Sequence, residues 1–329
     1  MLTDNFKRKI DYLRVSVTDR CDLRCTYCMA EDVTFLPRQE VLSIEEIIKL
    51  IDIFNELGVK KFRLTGGEPL VRKNIITIIE HLSELKKQKK IHEHTLTTNG
   101  TNLSKYAKIL KTNGVNRINV SLDSLDSEKY REVTKHGDLN KVINGIHAAS
   151  EEGIKVKINT VLTQNFNEEE VFDIINWCKI HSFDISLIEV MPIGAIGEKR
   201  FNQYLSMKKF EENLLSKLNL TPSNFRTNGP SRYFSDNTSN TKIGIISAIS
   251  HNFCDTCNRV RLTCTGKLYM CLGQNDYVDL KYSLRNLGKI DIIKQIEYAM
   301  TIKPQKHNFE ILENNFDGYI DRHMNETGG

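Results

Sequence analysis

The 329-residue sequence contains no apolar run approaching the length of a membrane span, and its opening stretch, MLTDNFKRKIDYLRV, has no apolar signal core. A spanning helix and a secretory leader are therefore not expected, and the chain reads as cytoplasmic. An excess of charge of one sign is also missing. Lys and Arg number 46 against 42 Asp and Glu, a net of +4. That is too mild to argue for nucleic acid by itself, and it suits a local anion-binding pocket as well. There is no internal repeat and no low-complexity tract. The length suffices for one large α/β domain with an appendage, or for two modest domains. Eight cysteines in a chain of this size do not make a disulfide scaffold. In a reducing compartment, clustered cysteines more often bind metal or carry redox chemistry.

What is present is an alternation of strand-like and helix-like runs. Strands are expected at 12–18, 62–67, 94–99, 116–123, 154–162 and 184–191, with helices between them. In 43-SIEEIIKLIDIFNELG-58 the apolar residues recur at helical spacing, Ser43 and Glu46 form a capping box, and Gly58 sits at the C-cap. Further helices are expected near 74–87, 103–113, 139–152 and 167–181, the last with Asn167 and Glu170 as its start signal. Six β/α units in a row predict a partial (β/α)6 TIM-type barrel, with a flat doubly wound sheet as the other arrangement. Either way, ligands would bind at the carboxyl ends of the strands. The division expected is a barrel over 1–220 and a C-terminal region over 221–329. In that region 221–242 reads as a long loop, 243–249 as a strand, and 259–264 with 267–272 as a hairpin around Thr265-Gly266.

Two cysteine clusters carry the chemistry. Cys21, Cys25 and Cys28 follow the first expected strand with spacing C-x3-C-x2-C. Structural zinc wants four ligands, and so does a four-iron cluster, one per iron. Three thiolates on such a cluster leave one iron open to bind something else. The second cluster lies in 253-FCDTCNRVRLTCTGKLYMCLG-273, where Cys254, Cys257 and Cys271 again make three, with Cys264 as an extra candidate. A zinc ribbon closed by all four sulfurs is the bland reading of this segment. Arg259 and Arg261 alternate at strand spacing, so both point to one face, as bidentate recognition of phosphate or carboxylate would require.

With Tyr27 giving C-x3-C-x-aromatic-C and 64-LTGGEPL-70 ending the second unit, the chain resembles the radical S-adenosylmethionine (radical SAM) enzymes. The N-R-x-R element after the second C-x2-C narrows this to the GTP 3′,8-cyclase family of molybdenum cofactor biosynthesis. Its motifs recur along essentially the whole length, among them 14-RVSVTDRCDLRCTYCM-29, 97-TTNG-100, 117-RINVSLDSLD-126, 157-KINTV-161, 188-IEVMPIG-194, 253-FCDTCNRVRLT-263 and the final Gly-Gly.

The resemblance implies two [4Fe-4S] clusters, one on Cys21, Cys25 and Cys28 and one on Cys254, Cys257 and Cys271. SAM would bind the open iron of the first and be lined by Tyr27, Gly67, Ser121 and Met191. GTP would lie between the clusters, held by Arg14, Arg63, Thr97, Lys157, Arg259, Val260 and Arg261. A 5′-deoxyadenosyl radical would take the C3′ hydrogen, and the product would be 3′,8-cyclo-7,8-dihydro-GTP. The next enzyme, cyclic pyranopterin monophosphate synthase, is the implied functional partner, and a homodimer is compatible with the family. The Gly328-Gly329 tail would reach the active site. The sequence departs from the family at Ser186, where arginine is usual, at Ala30, at Cys264 and in the residues before the final glycines. A peptide-modifying radical SAM enzyme shares the first cluster but is not expected to carry N-R-x-R. A zinc-ribbon nucleic-acid binder would leave the first cluster unexplained.

Overall fold

The computed structural model describes residues 1–194, 202–227, 229–236, 238–311, 316–317, 320 and 322–328. Strands β1 (Tyr12–Ser16), β2 (Lys61–Thr65), β3 (Glu93–Thr98), β4 (Arg117–Ser121), β5 (Lys155–Leu162) and β6 (Asp184–Glu189) pair in chain order, all parallel. Helices α1 (Ile44–Glu56), α2 (Ile75–Lys87), α3 (Leu103–Thr112), α4 (Ser127–Thr134), α5 (Leu139–Glu151) and α6 (Val171–Ile180) connect them. Their apolar stripes close on the buried strand residues in one continuous core. The capping box of α1 is present in full: Glu46 N donates to Ser43 Oγ, and Ser43 N to the Glu46 carboxylate.

Beyond α7 (Met207–Lys217), the C-terminal region extends this sheet at both edges. A short β7 (Thr221–Pro222) and β8 (Arg232–Ser235) lead to β9 (Ile243–Ile246), which pairs parallel with β6. Strand β10 (Arg259–Leu262) pairs parallel with β1 and turns back as β11 (Lys267–Tyr269) and β12 (Tyr277–Asp279). Helix α8 (Lys289–Thr301), the pair β13 (Glu310–Ile311) and β14 (Phe316–Asp317), and the short α9 (Met324–Thr327) complete the described chain. The sheet curls: Arg259 near one end and Tyr233 near the other line the same cavity. The fold is therefore an open partial barrel with a C-terminal extension, not a flat doubly wound sheet. No described helix is long and apolar enough to cross a membrane.

Three local expectations are corrected. The sixth helix begins at Val171, not near 167. Asn167 is spent on tertiary bonds, its Nδ2 donating to the carbonyls of Asp123 and Val161 and its Oδ1 accepting from Thr163 N. The 221–242 segment is not a continuous loop, because β7 and β8 lie within it. Helix α4, not expected, is started by Asp126, whose carboxylate accepts from Glu128 N and Lys129 N.

Candidate active site

Ser16 ends β1, and the chain turns at the carboxyl end of the barrel into the first cysteine loop. Cys21, Cys25 and Cys28 all line the cavity there. Cys28 N donates to Cys25 O at 2.9 Å, which turns the two cysteines toward one side. Arg24 N and Thr26 N donate to the carbonyls of Thr134 and Val133, tying the loop to the end of α4. Gly66 and Gly67 secure it from below. A Cβ on Gly66 would lie 2.6 Å from Thr18 O, and one on Gly67 would lie 2.0 Å from Arg20 O. Gly67 N and Glu68 N donate to those same two carbonyls at 2.9 and 2.8 Å. The glycines admit the backbone of the cysteine loop, and both also line the cavity.

Cys254 and Cys257 share one tight turn, Cys257 N donating to Cys254 O at 3.0 Å, and Cys271 follows β11. These three line the same cavity as the first triad. Cys264 does not. It is buried behind the sheet, where its carbonyl accepts from Leu42 N, so the second set numbers three and not four. Cys178 is a core thiol.

Each triad brings three thiols to one cavity, a donor set that fits an iron–sulfur cluster, whose irons favour thiolate and take one apiece. Burial pushes the Cys21 thiol up to about 12 and the Cys25 thiol well above its usual value, so thiolate forms there when metal replaces the proton. Cys257 differs. Burial raises it, but the Lys303 and Arg259 cations outweigh that and hold it below the ordinary value.

Between the triads lies a floor of cations. Parallel register places Tyr12 beside Arg259 on one neighbour and Lys61 on the other, and Arg14 between Arg261 and Arg63. With two-residue alternation these side chains share the inner face, and all six line the cavity. Lys157 on β5 joins them, donating to Tyr233 Oη at 2.8 Å and Ser231 Oγ at 3.3 Å. Among the described residues no ion pair involves Arg14, Arg63, Lys157, Arg259 or Arg261. Among the described residues, the buried Nε atoms of Arg14, Arg63 and Arg259 have no hydrogen-bond partner. Burial pushes the Arg63 guanidinium down to about 10 and Arg261 well below its usual value, and it lowers Lys157. Buried cations in this state call for an anion.

Thr97 accepts from Arg63 Nη1 at 3.2 Å and also lines the cavity. Val260 is the one expected contact whose side chain points away; it is fully buried in the core, and only its backbone lies between the two arginines. Tyr27, Ser121 and Met191 line the same cavity, with Tyr27 Oη donating to Asp123 Oδ2 at 2.6 Å. Ser186 is fully buried and shares a 3.1 Å hydrogen bond with Ser231. The usual arginine position is thus closed by a hydroxyl pair, and Lys157 Nζ donates to its Ser231 member at 3.3 Å. Sequence reading missed Tyr12 and Lys61, although each stands two residues before an arginine that it did identify.

The C-terminal helix α9 reaches the same cavity through Met324. Met324 N donates to Cys28 O at 3.2 Å and Asn325 Nδ2 to Asp19 O at 3.0 Å, so α9 lies on the first cysteine loop. The Arg261 guanidinium donates to Gly328 O. Gly329 lies outside the described residues.

An open parallel barrel with a cysteine triad after its first strand defines a radical SAM protein, and residues 15–178 match the Radical SAM superfamily. Residues 183–309 match Molybdenum Cofactor Synthesis C. A GTP 3′,8-cyclase of Brucella ovis is 49% identical over all of this chain and 96% of its own. One of Brucella abortus is 48% identical over the same shares. The chain belongs to the GTP 3′,8-cyclase family. Among solved structures, Streptococcus suis SuiB bound to S-adenosylmethionine shares the fold with a TM-score of 0.59 at 16% identity, over 85% of this chain and 64% of SuiB. A histidine-tagged anSMEcpe with bound AdoMet gives 0.52 at 22% identity, over 63% of this chain and 57% of its own.

Proposed function

We propose that this chain is a radical SAM GTP 3′,8-cyclase, converting GTP to 3′,8-cyclo-7,8-dihydro-GTP as the first step of molybdenum cofactor biosynthesis. The observation that carries the reading is a floor of buried and half-buried cations in which Arg14, Arg63, Lys157, Arg259 and Arg261 form no ion pair among the described residues, in one cavity with the two sulfur triads. A triphosphate supplies the charge those cations lack, and arginine pairs suit its bidentate geometry.

Cys21, Cys25 and Cys28 would hold one [4Fe-4S] cluster, and Cys254, Cys257 and Cys271 the other. When bound, the first cluster with SAM supplies reductive cleavage of the sulfonium and a carbon radical able to take a hydrogen atom. The chain's own residues do the rest. Tyr27, Gly67, Ser121 and Met191 shape the SAM side of the cavity. Arg14, Arg63, Thr97, Lys157, Arg259, Arg261 and the Val260 backbone anchor GTP, and Lys61 joins them. Fixing the phosphates at the floor restricts where ribose and base can sit, which is the main service a protein renders to such chemistry. Arg259 and Arg261 also bring catalytic positioning, because they stand between the second triad and the tail.

In this reading residues 1–220 supply the radical chemistry, and 221–329 supply the second cluster and the tail. The protein acts in the cytoplasm and its product passes to cyclic pyranopterin monophosphate synthase. The test is anaerobic turnover with SAM, a reductant and GTP deuterated at C3′, followed by the mass of the 5′-deoxyadenosine formed. Deuterium in that product supports the reading. Deoxyadenosine without deuterium leaves the radical chemistry standing and removes GTP as the substrate.

A further inference from the structure

Lys303 follows α8 and is only 3% exposed. A buried ammonium is expensive unless its protons are all taken. Here Nζ donates to Met270 O at 2.6 Å and to Arg259 O at 3.2 Å, and it lies 3.7 Å from Cys257 Sγ. No carboxylate pairs with it among the described residues. Its acceptors are informative: Met270 immediately precedes Cys271, and Arg259 stands two residues after Cys257. One side chain therefore ties together the two segments that carry the second triad. Its charge also reaches the sulfurs of Cys254 and Cys271.

The stretch that holds Lys303 is itself fixed. The Arg8 guanidinium donates to Cys254 O at 2.7 Å, Pro304 O at 2.6 Å and Gln305 O at 2.8 Å, and pairs with Asp4 at 2.6 Å. The ammonium is thus held against the triad by contacts on its own segment and on the triad's. The cation floor described above does not include it.

We propose that Lys303 is a positioning residue for the second sulfur triad and raises the reduction potential of the cluster held there. This rests on the two-cluster reading of the site. Reduction adds negative charge to a cluster, and hydrogen bonds to sulfur and nearby charge are what set its potential. A cation in a dry pocket stabilises the reduced state more than the oxidised one. At the first triad, by contrast, Cys21 Sγ meets the neutral Asn99 amide at 3.7 Å. The two sulfur sets therefore sit in different electrostatic surroundings, and removal of the ammonium should be felt at one of them only.

The test uses the full chain, reconstituted anaerobically, with iron and sulfide analysis and a redox titration followed by electron paramagnetic resonance. Lys303→Met should leave the first cluster's midpoint unchanged and shift the second to more negative potential. Lys303→Arg, which keeps the charge, should restore most of the shift. A fully loaded Lys303→Met with both midpoints unchanged overturns the proposal. If Lys303→Met does not load the second cluster, Lys303→Gln is titrated instead, and a wild-type midpoint there overturns it equally. If neither loads, the wild-type chain carrying lysine labelled with heavy nitrogen is studied by pulsed resonance; coupling of that nitrogen to the second cluster supports the proposal and its absence overturns it. Wild-type protein holding iron at the first triad alone would instead overturn the two-cluster reading, and this inference with it.

Discussion

The carbonyl oxygen of Gly328 accepts a hydrogen bond from the Arg261 guanidinium. One of the two arginines after the second C-x2-C is therefore oriented by the chain's own tail. Gly328 can do this because its φ is +73°, and because a Cβ there would lie 2.3 Å from Thr65 Cγ2. Gly328→Ala should expel the tail and release Arg261. A hydrogen bond to a charged group contributes about 1.5–3 kcal/mol, so kcat/KM for GTP should fall roughly 10- to 100-fold. Iron content should stay at the wild-type level. Steady-state kinetics beside iron analysis checks both; unchanged kcat/KM would show that the contact is incidental.

GTP binding should be sensitive to pH through Tyr12. Burial alone would raise its phenol, but Arg63, Arg14 and Lys61 pull it down to about 7. Arg259 and Arg261 face it from β10 and Arg117 from β4. A triphosphate laid on the same cations cancels their pull and moves the phenol back up. Binding then takes up a proton whenever the pH exceeds about 7. Affinity for GTP should weaken as pH rises from there, by at most about tenfold per unit for one coupled proton. Tyr12→Phe should flatten that dependence. Equilibrium titrations between about pH 7 and 9 decide it: parallel curves for the two proteins would remove Tyr12 from the linkage.

Local signals in the sequence were reliable where local physics decides. The Ser43–Glu46 box, the C-x3-C-x2-C spacing and the hairpin at Thr265-Gly266 all stand where they were expected. What failed depends on neighbours distant in sequence. Asn167 resembles a helix cap, yet Asp123 and Val161 compete for its amide. Strand β8 hides in a stretch rich in turn residues, because its order comes from pairing with β9. Lys61 and Tyr12 gain their meaning only when β10, β1 and β2 align in register. Val260 shows the converse: it stands between the two arginines of the motif, but strand alternation sends its side chain to the core.

Glu93 controls the stability of the barrel floor. It accepts from Arg117 Nη2 at 2.9 Å, bonds also through Arg117 Nε, and pairs with Lys61 Nζ at 2.9 Å. Burial works against its charge, but Arg117 and Lys61 hold its carboxyl down to about 2. A carboxyl with a depressed folded value stabilises above its unfolded value and loses that contribution as the acid form is reached. Stability should therefore decline between about pH 4.5 and 2. Glu93→Gln should lower stability at neutral pH by about 2 kcal/mol, less than for a fully buried pair because the group is partly exposed. It should also weaken the decline in acid. Chemical denaturation at several pH values measures both effects.

Gly67 tests whether the two triads are loaded independently. A Cβ there would sit 2.0 Å from Arg20 O, a backbone atom of the first cysteine loop that cannot step aside as a flexible side chain could. Gly67→Ala should therefore displace Cys21 and its neighbours while leaving Cys254, Cys257 and Cys271 in place. Reconstituted wild-type protein should carry about eight irons, and the variant about four, since each cluster holds four. Deoxyadenosine formation should vanish in the variant, while the resonance signal of the second cluster persists. Loss of all iron would mean that the second triad assembles only on a finished first loop, and retention of all eight would mean that the loop can shift without losing its ligands.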